Sequence, residues 1–290
     1  MNKHCLLLLI AFASFAMIGS VAKAEVFEIN GVNLHYSVQG EGPELLLLHG
    51  YGSSGNDNWG KLLPELSRSF KVILPDLRGH GKSTFNEERF THRLAAHDML
   101  ALLDHLNIER VRGIGNSTGA MTLLHMATLQ PSRIESMVLH AGTSHFPESA
   151  RNIMRSVQLN GISDFGDYFG DERMRRVHFL GKLQWEWIRK NFNGMKDSYR
   201  DMNFSAPLLG TITARTLIVH GDSDEFFPVD IPVSMYKSIS GSSLWIIPGQ
   251  GHNGAFDPDR HGMILAGLPF IPECVAHLRS SAAKNDRTKR

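Results

Sequence analysis

From Glu25 onward, the hydrophobic positions fall into two kinds of run. Val26 to Ile29 and Val32 to Val38 alternate apolar and polar residues and are joined at Asn30-Gly31, a strong hairpin signal. Leu45 to Leu48, Val72 to Leu74, Val111 to Ile114, Met137 to Leu139, Thr216 to Val219 and Leu244 to Ile247 lack alternation. Continuous apolar strands suit a parallel sheet covered on both faces. Helical periodicity lies between them, notably over Leu94 to Leu106 and Gly119 to Leu129, the second stopped by Pro131. A hairpin followed by alternating β and α predicts one α/β domain, doubly wound, with a mostly parallel sheet of about eight strands.

The alternation breaks between Ser144 and Pro207. That stretch has helix-like segments, Glu148 to Leu159 and Met174 to Phe192, but no convincing strand, and it holds ten of the chain's 25 aromatic residues. A structureless loop of that length is uncommon, so an inserted helical cap is expected at 144–207, over a core of 25–143 and 208–290. Most of its aromatics, which include Phe165, Tyr168, Phe169, Phe179, Trp185, Trp187 and Phe192, are expected to form the cap's own interior, with two or three facing a pocket.

Residues 1–24 precede the first alternating run: a basic start at Lys3, an apolar run from Cys5 to Ile18, then Ser20-Val21-Ala22-Lys23-Ala24. This pattern predicts a secretory signal cut after Ala24, giving a periplasmic or secreted protein; an uncleaved N-terminal anchor is the other reading. Cleavage would leave Cys274 alone and take the chain from 30 basic against 29 acidic groups to 28 against 29. One thiol forms no internal disulfide, and so small a net charge offers nothing to steer nucleic acid or an acidic membrane. After cleavage no stable membrane insertion is expected.

The strongest chemical signal is Gly115-Asn116-Ser117-Thr118-Gly119, between a strand and a helix. A serine on so sharp a turn needs small residues two places before and after it, and the helix N-terminus supplies free N–H groups for a developing oxyanion. Four more motifs stand at strand ends in order: His49-Gly50-Tyr51-Gly52, Asp76 through Ser83, His220-Gly221-Asp222-Ser223-Asp224 through Pro228, and Gly249-Gln250-Gly251-His252. Together they resemble the α/β-hydrolase fold family over essentially the whole mature chain, in its serine esterase or lipase-like branch with a helical cap.

The resemblance implies Ser117 as nucleophile, Asp224 as the acid and His252 as the base, with Asp222 and His261 as the competing acid and base. It places the oxyanion donors at the backbone amides of Tyr51 and Thr118. It also implies that His49, His80, His220, Asp76 and Arg78 brace loops. Tyr51, Phe146, Trp185 and Trp187 are the candidate pocket residues. No cofactor is implied, no histidine or cysteine spacing suits a metal, and Gly-His-Gly-Lys-Ser lacks the glycine spacing of a phosphate loop.

The expected activity is cleavage of a small to medium apolar ester or lactone, extending to a macrocyclic antibiotic lactone, through an acyl-enzyme. A serine in place of aspartate disfavours dehalogenase and epoxide-hydrolase chemistry. Export disfavours the carbon–carbon hydrolases of ring cleavage, although Gly-Asn-Ser resembles them. An aminopeptidase-like peptidase using Asp164, Asp167, Asp171 and Glu172 to hold an amine, and a non-catalytic ligand-binding member of the fold, are the alternatives.

Overall fold

The computed structural model describes residues 23–252. Within them β1 (Lys23–Ile29) and β2 (Val32–Gln39) form the hairpin, which turns at Asn30 (φ 47°) and Gly31 (φ 70°). Asn and Gly reach this left-handed region at little cost, as a primed two-residue turn requires. Because β1 starts at Lys23, the last two residues of the predicted leader pair with Val38 and Ser37. The rest of that leader with Cys5, and at the other end His261, Cys274 and the core beyond His252, lie outside the described residues.

The sheet continues through β3 (Glu44–Leu48), β4 (Lys71–Pro75), β5 (Val111–Asn116), β6 (Ile134–His140), β7 (Arg215–Gly221) and β8 (Ser243–Ile247). Its order is β1-β2-β4-β3-β5-β6-β7-β8, antiparallel from β1 to β4 and parallel thereafter. Leu45 to Leu48 show why these strands lack alternation. Leu46 and Leu48 join Ile73, Met99 and Leu123 in one apolar cluster, while Leu45 and Leu47 join Trp59, Val72 and Leu74 in another. Successive side chains point to opposite faces, and each face is covered.

The core helices are α1 (Gly55–Trp59), α2 (Leu63–Leu66), α3 (His92–His105) and α4 (Thr118–Leu129). Between β6 and β7 the chain forms the cap: α5 (Glu148–Ser156), α6 (Asp171–Val177), α7 (Lys182–Gly194) and the short α8 (Ala206–Leu209); α9 (Asp230–Ser238) returns to the core. The single helical stretch expected over Met174 to Phe192 is two helices. Gly181 adopts φ 81°, and the segment before it is tied to the core: His178 Nδ1 accepts the Gly81 amide at 2.9 Å and the Phe179 amide donates to the Gly81 carbonyl at 3.1 Å. Periodicity alone does not register such a tie.

Polar contacts fasten α3 on its side and at its start. Arg78 grips Asp98 with two bonds of 2.6 and 2.8 Å, both groups buried. At the helix start, Thr91 accepts the Leu94 amide at 3.0 Å, and Asp201 from the cap accepts the His92 and Arg93 amides at 2.8 and 3.1 Å. These bonds satisfy donors that a helix leaves open at its N-terminus.

Candidate active site

The loops after β3, β4, β5, β7 and β8 gather at one edge of the sheet, the carboxyl end where open α/β sheets place their ligands. Ser117 stands between β5 and α4 with φ 50° and ψ −110°, a conformation costly for a residue with a side chain. A Cβ on Gly115 would overlap the Ala120 and Gly119 backbone, and one on Gly119 would overlap the Leu48 carbonyl. The two glycines are therefore steric conditions for this turn.

His252 Nε2 lies 3.0 Å from Ser117 Oγ, and His252 Nδ1 lies 2.8 Å from Asp224 Oδ2. The second oxygen of Asp224 accepts the Phe226 and Phe227 amides at 2.8 and 2.9 Å, and both phenyl rings flank the imidazole at 4.5 and 5.2 Å between centroids. Burial by itself would raise the Asp224 carboxyl; its bond to His252, that group's charge and the Phe227 amide outweigh it and hold the carboxyl below its ordinary range. The site thus keeps an ionised carboxylate against Nδ1 and leaves Nε2 to take the serine proton. Asp222 is exposed and turned away, accepting the Gly249 amide at 2.7 Å and bracing the turn before His252.

Tyr51 and Thr118 border the same cavity as Ser117, and among the described residues the amide of neither meets a protein acceptor. The bracing groups act on neighbouring backbone. His49 receives the Leu77 amide at 2.9 Å; His80 Nδ1 lies 2.9 Å from the Arg78 carbonyl, and His220 Nε2 lies 2.8 Å from that of Phe227. Asp76 accepts the Gly55 and Lys82 amides at 2.8 and 2.9 Å. Sequence reasoning missed three residues with comparable work. Asn58 Oδ1 takes both the Gly50 amide (2.8 Å) and the Asn116 side-chain amide (3.3 Å), Glu225 accepts the His252 amide (2.9 Å), and Tyr168 donates to the Tyr51 carbonyl (2.7 Å). Asn58 and Tyr168 sit in no motif, and Glu225 lies within one without being marked by it, because a backbone group can be held by an acceptor or donor of many residue types.

The cavity over Ser117 measures about 40 Å³ and is walled by Tyr51, Met121, Phe146, Met154, Phe165, Tyr168, Phe169, Phe192, Met195, Phe226 and Phe227. Of the four expected lining residues, Tyr51 and Phe146 are present. Trp185 and Trp187 are not: the Trp185 indole points at the His178 carbonyl, and Trp187 lies on Gly79 with its N–H 3.1 Å from the Asn86 carbonyl. They occupy the sides of α7 that seat the cap, while Phe192 on the same helix reaches the cavity. Among the described residues no helix is long and apolar enough to cross a membrane, and no cluster of side chains suits a metal.

Residues 43–169 match the α/β hydrolase fold family. The chain is 30% identical over 247 residues to 2-hydroxy-6-oxononadienedioate/2-hydroxy-6-oxononatrienedioate hydrolase 2 of Pseudomonas putida, covering 76% of this chain and 85% of that one. It is 29% identical to human serine hydrolase BPHL, covering 81% of each. A crystal structure of the meta-cleavage product hydrolase CumD from Pseudomonas fluorescens superposes with a TM-score of 0.69 at 22% identity, over 86% of this chain and 97% of that one. Strand order, cap and relatives agree: the chain belongs to the α/β-hydrolase fold family and is a serine hydrolase of its capped branch.

Proposed function

We propose that the enzyme cleaves small, uncharged carboxylic esters or lactones through an acyl-enzyme on Ser117. His252 takes the Ser117 proton as the hydroxyl attacks the carbonyl, the Tyr51 and Thr118 amides hold the oxyanion, and the alcohol leaves with the proton from His252. Water, activated by the same imidazole, then releases the acid. The observation that carries the substrate class is the cavity wall. Among its described residues are aromatic rings and methionines but no Arg, Lys, Asp or Glu. A dienedioate, named for the Pseudomonas putida relative, carries two carboxylates, which a wall without cations desolvates and does not repay.

The cavity is small, about 40 Å³. It favours a short acyl group over a macrocyclic lactone. The acidic residues that a peptidase would need for its substrate amine give that reading no support: none of Asp164, Asp167, Asp171 and Glu172 lines the cavity, and Asp171 is paired with Arg189 at 2.6 Å. Export remains part of this proposal, supported by the pattern of residues 1–24, and N-terminal sequencing of the mature protein tests it. For the reaction, p-nitrophenyl acetate and butyrate, an aminoacyl anilide and the dienedioate are compared on wild type and Ser117→Ala. The expected result is ester turnover that falls at least ~10³-fold in the variant. Higher kcat/KM for the dienedioate or the anilide than for either ester would sink the assignment.

A further inference from the structure

Tyr51 belongs to the core, yet much of what fixes it comes from the cap. Its carbonyl accepts the Tyr168 hydroxyl at 2.7 Å, and its own hydroxyl donates to the Ile188 carbonyl of α7 at 3.0 Å. The next carbonyl, that of Gly52, accepts Arg173 Nη1 at 2.5 Å and His178 Nε2 at 3.2 Å. The His178 tautomer follows from its other nitrogen, which accepts the Gly81 amide and so leaves the hydrogen on Nε2. Gly52 itself has φ 69°, and a Cβ there would meet the Tyr168 and Phe169 rings at 3.0 and 3.2 Å. Cap side chains close over the glycine that bends this loop.

These contacts bracket one peptide plane. The Tyr51 amide shares its plane with the Gly50 carbonyl, which receives the Ser53 amide at 3.2 Å and His49 Nδ1 at 2.8 Å. In a trans peptide the N–H points opposite the C=O, so a carbonyl held inside the loop turns the Tyr51 N–H outward. The plane before it is pinned by Asn58, a core residue, through the Gly50 amide. The plane after it is pinned by Tyr168, and the following carbonyl by Arg173 and His178, all from the cap. The core holds the donor's own plane and the flank before it, and the flank after it is held from the cap.

We propose that the cap completes the positioning of the oxyanion hole: the core sets the direction of the Tyr51 amide, and Tyr168, backed by Arg173 and His178, fixes the flank after it, so this donor is fully aligned on the tetrahedral intermediate when the cap is seated. The proposal rests on Ser117 being the acylated nucleophile. Tyr168 also walls the cavity. Seating of the cap over a substrate and completion of the oxyanion site are thereby one event, in which Tyr168 is a positioning residue that acts through backbone.

Tyr168→Phe removes the hydroxyl and keeps the ring. Removing an oxyanion donor outright costs about 10²–10³ in kcat, so a loosened donor is expected to cost about tenfold. The measurements are kcat and KM for p-nitrophenyl butyrate, and inhibition by a butyl trifluoromethyl ketone, whose serine adduct places an oxyanion in the hole. A lost positioning bond lowers kcat and ketone affinity together by about tenfold and leaves KM within about twofold. Arg173→Lys, which keeps the charge but not the guanidinium geometry, carries the same readout if Tyr168→Phe loses its cooperative unfolding transition. Unchanged kcat and ketone affinity, or a change in KM alone, would overturn the clamp. A wild-type protein inert to both ester and ketone would instead overturn the nucleophile reading, and the clamp with it.

Discussion

On the core wall of the cavity, each reacting side chain is held by neighbours close in sequence or at adjacent strand ends: Ser117 by its flanking glycines, Asp224 by the amides of Phe226 and Phe227. From the cap, Tyr168 on the cavity wall and His178 behind it reach carbonyls 117 and 126 positions earlier in the chain. The core wall carries the polar reacting groups and the strained turn among apolar side chains; the cap wall is apolar, and the cap contributes hydrogen bonds to backbone. Chemistry and its alignment are thus divided between two segments that meet only after folding.

The division predicts unequal effects of mutation. After Ser117 and His252, whose loss should each abolish most turnover, the largest is expected at the acid. Asp224→Asn should lower kcat/KM by about 10³–10⁴, because the amide loses the charge that stabilises the imidazolium and permits the wrong tautomer. Asp222→Asn, on the exposed side of the same loop, should stay within about threefold in the same ester assay. A larger loss at Asp222 would reassign the acid.

On the cap wall the effect should fall on selectivity. Phe192→Leu opens the cavity without touching a polar group, so kcat/KM for a hexanoyl ester should rise about tenfold relative to the acetyl ester, the worth of one or two methylenes. An unchanged ratio in an acyl-chain series would show that this ring does not limit the acyl group. The contrast with Asp224 would then lose its second half.

The last effect is on stability in acid, and it is shared by the two segments. Burial chiefly holds His178 of the cap at about 3 and His140 of the core at about 3, well below the ordinary value of 6.5. Between those values the unfolded chain binds a proton that the folded chain refuses, so stability is full above about pH 6.5 and falls as the solution is acidified. Each group contributes at most about 1.4 kcal/mol per pH unit in that window. In urea titrations at pH 7, 6 and 5, His178→Gln should reduce the slope of unfolding free energy against pH by about that amount. An unchanged slope would mean that His178 is protonated in the folded state.

The same contrast explains what could be read from the chain. Gly115 and Gly119 were legible because the steric demand of the turn is local and names its residue type, and the strands were legible because covered sheets leave unbroken apolar runs. Asp224 needed a motif that spans its loop. The cap's aromatics were visible as a group, but composition does not say which side of α7 faces the cavity, so Trp185 and Trp187 were misplaced. Tyr168 and Arg173 left no signal in sequence, since any donor at the right point in space can hold a carbonyl. The break between α6 and α7 was hidden for a similar reason: Gly81, which ties it, lies 97 positions away from His178.

Asp201 carries a consequence for the order of events in the cell. It caps α3 from 109 positions downstream of His92, and His92 Nδ1 also lies against it at 2.7 Å. Along the chain from its N-terminus, α3 comes long before the carboxylate that receives its first amides, and β7 and β8 come later still. Contacts of such separation are slow to form and cannot be anticipated by the N-terminal half alone. The hydrolase core therefore completes its folding only after its insert has been synthesised, and a nascent chain halted before Asp201 is left with a frayed α3 and two missing strands.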